Sequence, residues 1–346
     1  MSAPFRPAAE LSAAFYDEVV RPLVGARPHS AALLGWGSDV LGYDTARSTD
    51  HGWGPRVHVL VERPEDVDGL RRHLDVRLPP TFRGWPVRFA RNGGGVTHHV
   101  TVATLPAWLL EHLGCDATLG MSVLDWVLTP QQRLLGVVAG RVHADPSGAL
   151  TAVRGALSWY PQQVWRWLVA CQWQRIAEEE AFVNRTAEVG DETGSAVVAA
   201  RLVRDLMRLA LLLARRYAPY GKWLGTAFAR LPDRDGLPGH LSAALRADRL
   251  DVREASLGSA YEAVARRHAA TGLTAALDPA TGPYHARPGR VLMAERFAEA
   301  CRGTVVDPAL RGLPLIGGVD QVVDSPQVLT EPSRWRRLEV LYRPTG

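Results

Sequence analysis

Seven residues within one short stretch carry chemistry: Gly35, Gly37 and Ser38 in Leu34-Gly-Trp-Gly-Ser38, then Asp39, Asp44 and Asp50, then Arg56. A turn of glycine and serine lets backbone N–H groups and a hydroxyl come close to a phosphate chain, because glycine admits the backbone. Carboxylates arriving shortly afterwards supply oxygen ligands for Mg²⁺, which bridges phosphates and neutralises charge during transfer. Arg56, after Trp53-Gly-Pro55, suits bidentate clamping of a phosphate or carboxylate, and a structural ion pair is its other use. Asp39 is placed to cap a helix starting at the turn, and Asp44 to pin the following loop or to approach a metal from it.

One further residue stands apart. Of the 40 basic residues, Lys222 in Tyr217-Ala-Pro-Tyr-Gly-Lys-Trp223 is the sole lysine. A GC-rich genome explains the surplus of arginine, alanine, glycine and proline, and a surface survivor explains one lysine. The alternative is function, since an ammonium is a compact phosphate-binding charge.

Gly37-Ser38 followed by Ser48-Thr49-Asp50 resembles the signature of the DNA polymerase β-like nucleotidyltransferases, a Gly-Ser turn and then two carboxylates one residue apart on a strand. Further marks resemble a bacterial branch of nucleotidyltransferase-like domains of unknown function. These are Gly42-Tyr-Asp44, Asp50-His-Gly-Trp-Gly-Pro-Arg56, Tyr160-Pro161, Tyr217 to Trp223, and Gly318-Val-Asp-Gln321, so the likeness runs from about residue 10 to about 342. Kanamycin nucleotidyltransferase is a more distant likeness. The resemblance implies a nucleoside triphosphate held by Gly37, Ser38, Arg56 and Lys222, with Mg²⁺ on Asp50 and Asp44. Asp50 and Lys222 would then be the catalytic residues, and a small-molecule hydroxyl or amine would attack the α-phosphate.

The sequence departs from that pattern at Gly52, where the second carboxylate belongs. On a strand, residues 50 and 52 share a face and His51 takes the other, so His51 is no substitute. Residues 86 to 104 also contain no Asp or Glu to complete a metal site. Two functions are therefore implied: nucleotidyl transfer through an atypical metal site, or a degenerate site that binds a nucleotide or another anion in a regulatory role. Different chemistry in the inherited cleft, in specialised biosynthesis, belongs with the second.

The elements that must position these residues follow from periodicity. Leu11, Phe15, Val19 and Leu23 predict a helix over 8–24, and Ala31 to Leu34 a buried strand ending at the glycine turn. Val57 to Val61 alternate as a β-branched strand on whose leading end Asp50 should sit. A crossover helix is predicted over 65–78, stopped by Pro79-Pro80, with strands over 86–90 and 97–104 separated by the Asn92-Gly-Gly-Gly95 loop. Residues 140–148 read as strand, tight turn and strand, with Asp145 in turn chemistry. From Pro161 the spacing becomes helical, over 161–182 and 195–217. The fold class is α/β, a mixed-sheet nucleotidyltransferase core over 1–155, followed by a mainly α-helical domain over 156–346 that closes a cleft.

Composition excludes several classes. At 346 residues and 47% hydrophobic, the chain is long enough for two domains and a large core. No apolar run is long enough for a membrane span, and the N-terminus has no secretory pattern. Cys115, Cys171 and Cys301 fit neither a disulfide framework nor zinc spacing, so a cytoplasmic setting is expected. A formal charge of +4 suits small anionic ligands without calling for nucleic acid. The 11 tryptophans are spread along the chain and read as core. His98 and His99, adjacent on a strand, face opposite ways and do not chelate one ion together.

Overall fold

In the computed structural model, residues 4–90, 94–285, 287 and 289–343 are described. The chain forms two units: residues 1–125 with 131–158, and residues 126–130 with 159–346. A single boundary near 155 therefore does not describe the path, because five residues around Val127 belong to the second unit before the first is complete.

Unit 1 is an α/β sheet. It opens with α1 (Ala8–Phe15), a π-helical turn (Tyr16–Val20) and α2 (Arg21–Val24), so the helix expected over 8–24 is present but widened in its middle. Pro22 lacks the N–H that a regular helix would direct at the Glu18 carbonyl, and the wider turn falls just before it. The sheet order is β5-β6-β2-β1-β7. Its strands are β1 (His29–Ala32), β2 (Arg56–Val61), β5 (Arg88–Phe89), β6 (Thr97–Ala103) and β7 (Val142–Ala144). The short pair β3 (Thr81–Phe82) and β4 (Trp85–Pro86) forms a separate ribbon. Strands β2 and β6 run parallel, joined by α4 (Asp66–Arg77), and the other pairings in the large sheet are antiparallel.

Strand β2 is buried along its whole length, which is why its alternation matters. Val57, Val59 and Val61 join Leu11, Phe15, Leu70, Leu74, Val100 and Val102 in one core. Arg56 and His58 are the alternate residues and so face the other side of the sheet. That side carries α5 (Leu105–Leu113) and, beyond the start of α6 (Val123–Leu128), α7 (Gln131–Val138). Helix α8 (Ala149–Ala156) closes the unit where a second strand was expected. The Asp145 side chain accepts from Leu150 N and Thr151 N at 3.3 and 2.8 Å and from Ser30 Oγ at 2.7 Å, so it starts a helix while tying it to β1.

Two other expectations are corrected. Strand β1 ends at Ala32, and Leu33 and Leu34 already belong to the turn. Asp50 does not lie on a strand: Ala46–Asp50 is a 3₁₀ turn started by a reciprocal Thr45–Ser48 capping box, and β2 begins only at Arg56. Gly52 at φ +63° and Pro55, which has no ladder donor, keep the intervening residues irregular. The expected strand over 86–90 is reduced to short pieces of β4 and β5. Asn92 and Gly93 of the expected loop lie outside the described residues.

Unit 2 is mainly helical: α9 (Gln162–Glu179), α10 (Phe182–Glu188), α11 (Glu192–Leu213), α12 (Gly221–Ala229), α13 (Leu237–Arg246) and α14 (Leu250–Ala270). After a short antiparallel pair of two-residue strands, β8 (Gly282–Pro283) with β9 (Arg290–Val291), come α15 (Glu295–Gly303) and α16 (Pro308–Arg311). Helix α9 buries more than half of its residues, Trp165, Trp167 and Trp173 fully, as suits a helix packed on several sides. Trp165 Nε1 donates to Leu212 O at 2.8 Å and Trp173 Nε1 to His268 Nδ1 at 3.1 Å, so these large rings are satisfied as well as buried. The Glu180 carboxylate accepts from Leu292 N and Ala294 N, both at 2.8 Å, and fixes the segment between β9 and α15. Among the described residues, no helix is long and apolar enough to cross a membrane.

The turn after β1 is pinned by close approach. Leu33 N donates to Arg141 O at 2.8 Å and Gly35 N to Gly136 O at 2.9 Å. A side chain on Gly140 would collide with the Leu33 carbonyl oxygen, backbone against backbone. Gly140→Ala should therefore destabilise the protein by about 1–3 kcal/mol. Gly155→Ala, with open space around it in α8, should be neutral or slightly stabilising. Urea midpoints for the two variants check this, and equal midpoints would refute the pinned turn.

Candidate functional site

A cavity of about 180 Å³ lies in unit 1 where this turn meets the side of β2 away from the valine core. Its wall is Gly35 and Trp36 from the turn, Arg56 and His58 from β2, Trp108, Glu111 and His112 from α5, and Arg133 from α7. Each set is a consequence of local geometry. Residues 56 and 58 share a strand face, and 108, 111 and 112 share a helix face at i, i+3 and i+4. Gly35, at φ +89°, gives the turn its shape in a left-handed conformation that a side chain would strain, and it borders the Arg56 guanidinium and the His58 ring.

Arg56 is the most constrained group in the cavity. Only 4% of it is exposed, and its Nε donates to Asp39 Oδ2 in a buried ion pair. Its Nη2 is buried with no hydrogen-bond partner. Asp39, in the first turn of α3 (Ser38–Leu41), thus holds the guanidinium instead of capping the helix. Arg133 is held from the opposite wall. Its backbone carbonyl accepts from His112 Nε2 at 2.9 Å, and its Nη1 lies 3.3 Å from His112 Nδ1. Both contacts are satisfied by one neutral tautomer, with the proton on Nε2. Burial pushes Arg133 down to about 10, opposed by the nearby Glu111 carboxylate, so it remains a cation at neutral pH. Trp108 stacks on His112 at 4.8 Å and meets His58 edge-on at 5.4 Å. His58 Nδ1 in turn accepts from Leu34 N at 3.3 Å.

The residues singled out in the sequence are only partly brought together. Arg56 lines the cavity, Gly37 and Ser38 continue the same turn into α3, and Asp39 stands behind Arg56. Asp44 is a tie between α1 and its loop: it accepts from Ala8 N at 2.7 Å and Trp53 Nε1 at 3.2 Å. Burial raises its carboxyl above the ordinary value, against the lowering effect of those two donors. Asp50 is half exposed and 2.7 Å from His51 Nδ1. Lys222 belongs to unit 2, in the first turn of α12, exposed, with Nζ 5.0 Å from the Trp223 ring centre. His98 pairs with Asp75 at 2.8 Å and His99 bonds Phe89 O at 2.9 Å, so neither adds to the cavity.

Among the described residues, no three His, Cys, Asp or Glu side chains gather in a metal-binding group. The two same-face positions of β2 at the turn hold a guanidinium and an imidazole, and Glu111 is the one carboxylate on the cavity wall. This donor set does not fit Mg²⁺, which takes oxygen ligands. It fits an oxyanion. His58, Trp108, Glu111, His112 and Arg133 were not singled out in the sequence. The i, i+3, i+4 spacing on 105–113 was the available signal for three of them.

No curated protein matches the chain. A family model described as a domain of unknown function (DUF4037) matches residues 126–224, which includes Arg133 but none of the other cavity residues. The structure of a nucleotidyltransferase-like protein from Exiguobacterium sibiricum 255-15 is similar over 76% of this chain and 77% of that one, at 13% identity and a TM-score of 0.35.

Burial and the Arg133 cation lower His112 from 6.5 to about 3. Below 6.5 the unfolded chain takes up a proton that the native one refuses, so stability contributed here falls as pH drops from 6.5 towards about 3. At about pH 5, where an ordinary histidine is mostly charged, His112 should still show the ¹⁵N shifts of a neutral Nε2–H ring. Its titration should move upward in Arg133→Gln. An imidazolium signal in the folded wild type at that pH would contradict the assigned pairing.

Proposed function

We propose that this chain is a nucleotidyltransferase-like protein whose unit 1 cavity binds the phosphate group of a nucleotide or phosphorylated small molecule directly on arginine. The observation that carries this reading is Arg56: a guanidinium 4% exposed, held by one carboxylate, with Nη2 unmatched in a cavity wall that also holds Arg133. A buried donor left unmade costs about 1–3 kcal/mol, and a phosphate oxygen recovers that cost. Arginine presents the planar fork that phosphate oxygens accept from two sides. The cavity of about 180 Å³ is smaller than the roughly 300–1,000 Å³ that encloses a drug-sized ligand. It takes a phosphate group, and the remainder of the ligand projects from the mouth.

Metal-dependent nucleotidyl transfer to a small-molecule acceptor is the weaker reading. It requires Mg²⁺ on Asp50 and Asp44, whereas Asp44 already serves Ala8 N and Trp53 Nε1, and Asp50 sits on a 3₁₀ turn beside His51. Binding and regulation, or different chemistry on a bound phosphate, agree better with a basic cavity. The reading rests on unit 1 alone and assigns Lys222 no role.

Calorimetry with inorganic phosphate, ATP and AMP should show binding that persists in excess EDTA. Arg133→Gln should weaken it at least about tenfold, the order expected for one charge-assisted contact. Because removing Arg56 alone strands Asp39, the matched variant is Arg56→Met with Asp39→Asn, which should fold and bind at least about tenfold more weakly. Phosphate affinity unchanged in both variants would sink the reading. So would Mg²⁺-dependent release of diphosphate from a nucleoside triphosphate at enzymatic rates.

A further inference from the structure

Unit 2 contains a cavity of about 550 Å³ that is unrelated to the arginine pair of unit 1. Trp167 of α9 forms its floor with Val305 and Leu310, all buried, and Leu313, Leu315 and Val306 continue the apolar wall. Its volume falls within the roughly 300–1,000 Å³ of small-molecule pockets.

The wall is built in advance. Arg166 Nη1 donates to Thr304 O at 3.2 Å, and Gln163 Oε1 accepts from Val306 N at 2.7 Å, so α9 fixes the segment after α15 at two points. Asp307 then caps α16 by accepting from Ala309 N at 2.9 Å. Thr304 Oγ1 donates to Cys301 O at 2.7 Å and closes the end of α15. A cavity framed by hydrogen-bonded backbone keeps its shape without a ligand, which lowers the ordering cost of binding.

Its charges are the informative part. Arg166 of α9 donates from Nη1 to Thr304 O, and Arg296 of α15 donates to the carbonyls of Leu292 and Asp278. The Arg302 and Arg311 side chains line the cavity, are exposed, and make no hydrogen bond or ion pair among the described residues. Glu299 is the one acidic residue on the wall, one turn before Arg302 on α15. Two guanidiniums against one carboxylate leave the wall with a net single positive charge. The Trp167 Nε1 donor is buried and has no partner. We propose that this cavity is a second binding site, for an organic monocarboxylate with an aliphatic or aromatic body. The carboxylate sits between Arg302 and Arg311, and the apolar body lies over Trp167, Val305 and Leu310. Glu299 disfavours a dianion such as a phosphate monoester, which selects the singly charged acid.

The test uses the full-length protein, titrated by calorimetry with phenylacetate and decanoate, and with phenylacetamide as the neutral match. Both acids should bind, the amide at least about tenfold more weakly. Arg302→Gln and Arg311→Gln, at exposed positions, should each reduce acid affinity at least about fivefold without moving the thermal midpoint. Val306→Glu, at a position 68% exposed, should reduce it further by placing a second carboxylate at the mouth. Arg133→Gln in unit 1 should leave acid binding unchanged, which separates this site from the phosphate site. Equal affinity for acid and amide, no response to either arginine variant, or no binding at about 1 mM acid would overturn the proposal.

Discussion

Unit 1 is arranged around a guanidinium taken out of water at the first residue of its central strand. Arg56 and Asp39 are both under a tenth exposed, and breaking such a pair by removing one partner costs about 3–5 kcal/mol. The pair fixes more than itself. Asp39 reaches Arg56 only if the chain leaves β1 through a tight glycine turn and starts α3 at once. Arg56 in turn accepts α1 through its carbonyl, to which Ser12 Oγ donates at 2.7 Å. Ser12 also lies 2.8 Å from His143 Nε2, so α1, β2 and β7 meet at the foot of the same strand. The unmatched Nη2 is what remains after these structural demands are met.

Arginine richness acquires a structural meaning on this background. Arg154 donates to Val137 O and Val138 O at 2.9 and 2.6 Å, Arg71 donates twice to Val102 O, and Arg290 and Arg296 reach the carbonyls of Thr281, Asp278 and Leu292. A planar fork with five donors suits carbonyls at helix and strand ends, where a lysine offers one point charge. Asp205, buried beneath Arg175, Arg204 and Arg208, shows the same residue type serving a carboxylate. The fold employs many of its arginines as staples.

Much of this architecture was legible in the chain. The alternation in Val57 to Val61, the apolar stripes of α9 and α11 and the proline stop after α4 each depend on local periodicity, and each survives in three dimensions. Asp50 was misplaced because a family spacing was allowed to outweigh turn chemistry that was also present: Thr45 with Ser48, Gly52 and Pro55 all oppose a strand before Arg56. The fold class was readable, whereas the cavity was not. Arg133 and Arg56 are 77 residues apart in number and meet through α7 packing against the turn, with Gly136 allowing the approach. His112 carries no signal of its own, since its role is set by a carbonyl and a guanidinium that only tertiary contact delivers.

The path of the chain between the units bears on how the protein is made. Trp126, Val127 and Leu128 are buried, and they belong to the unit whose remaining residues begin at Trp159. During synthesis from the N-terminus, this apolar triplet at the end of α6 leaves the ribosome before the rest of its own unit, which resumes at Trp159. It emerges while the sheet of the first unit still lacks β7 and α8. The two halves therefore mature in an interleaved order, and the nascent chain passes through a stage in which a tryptophan, a valine and a leucine await partners more than thirty residues downstream.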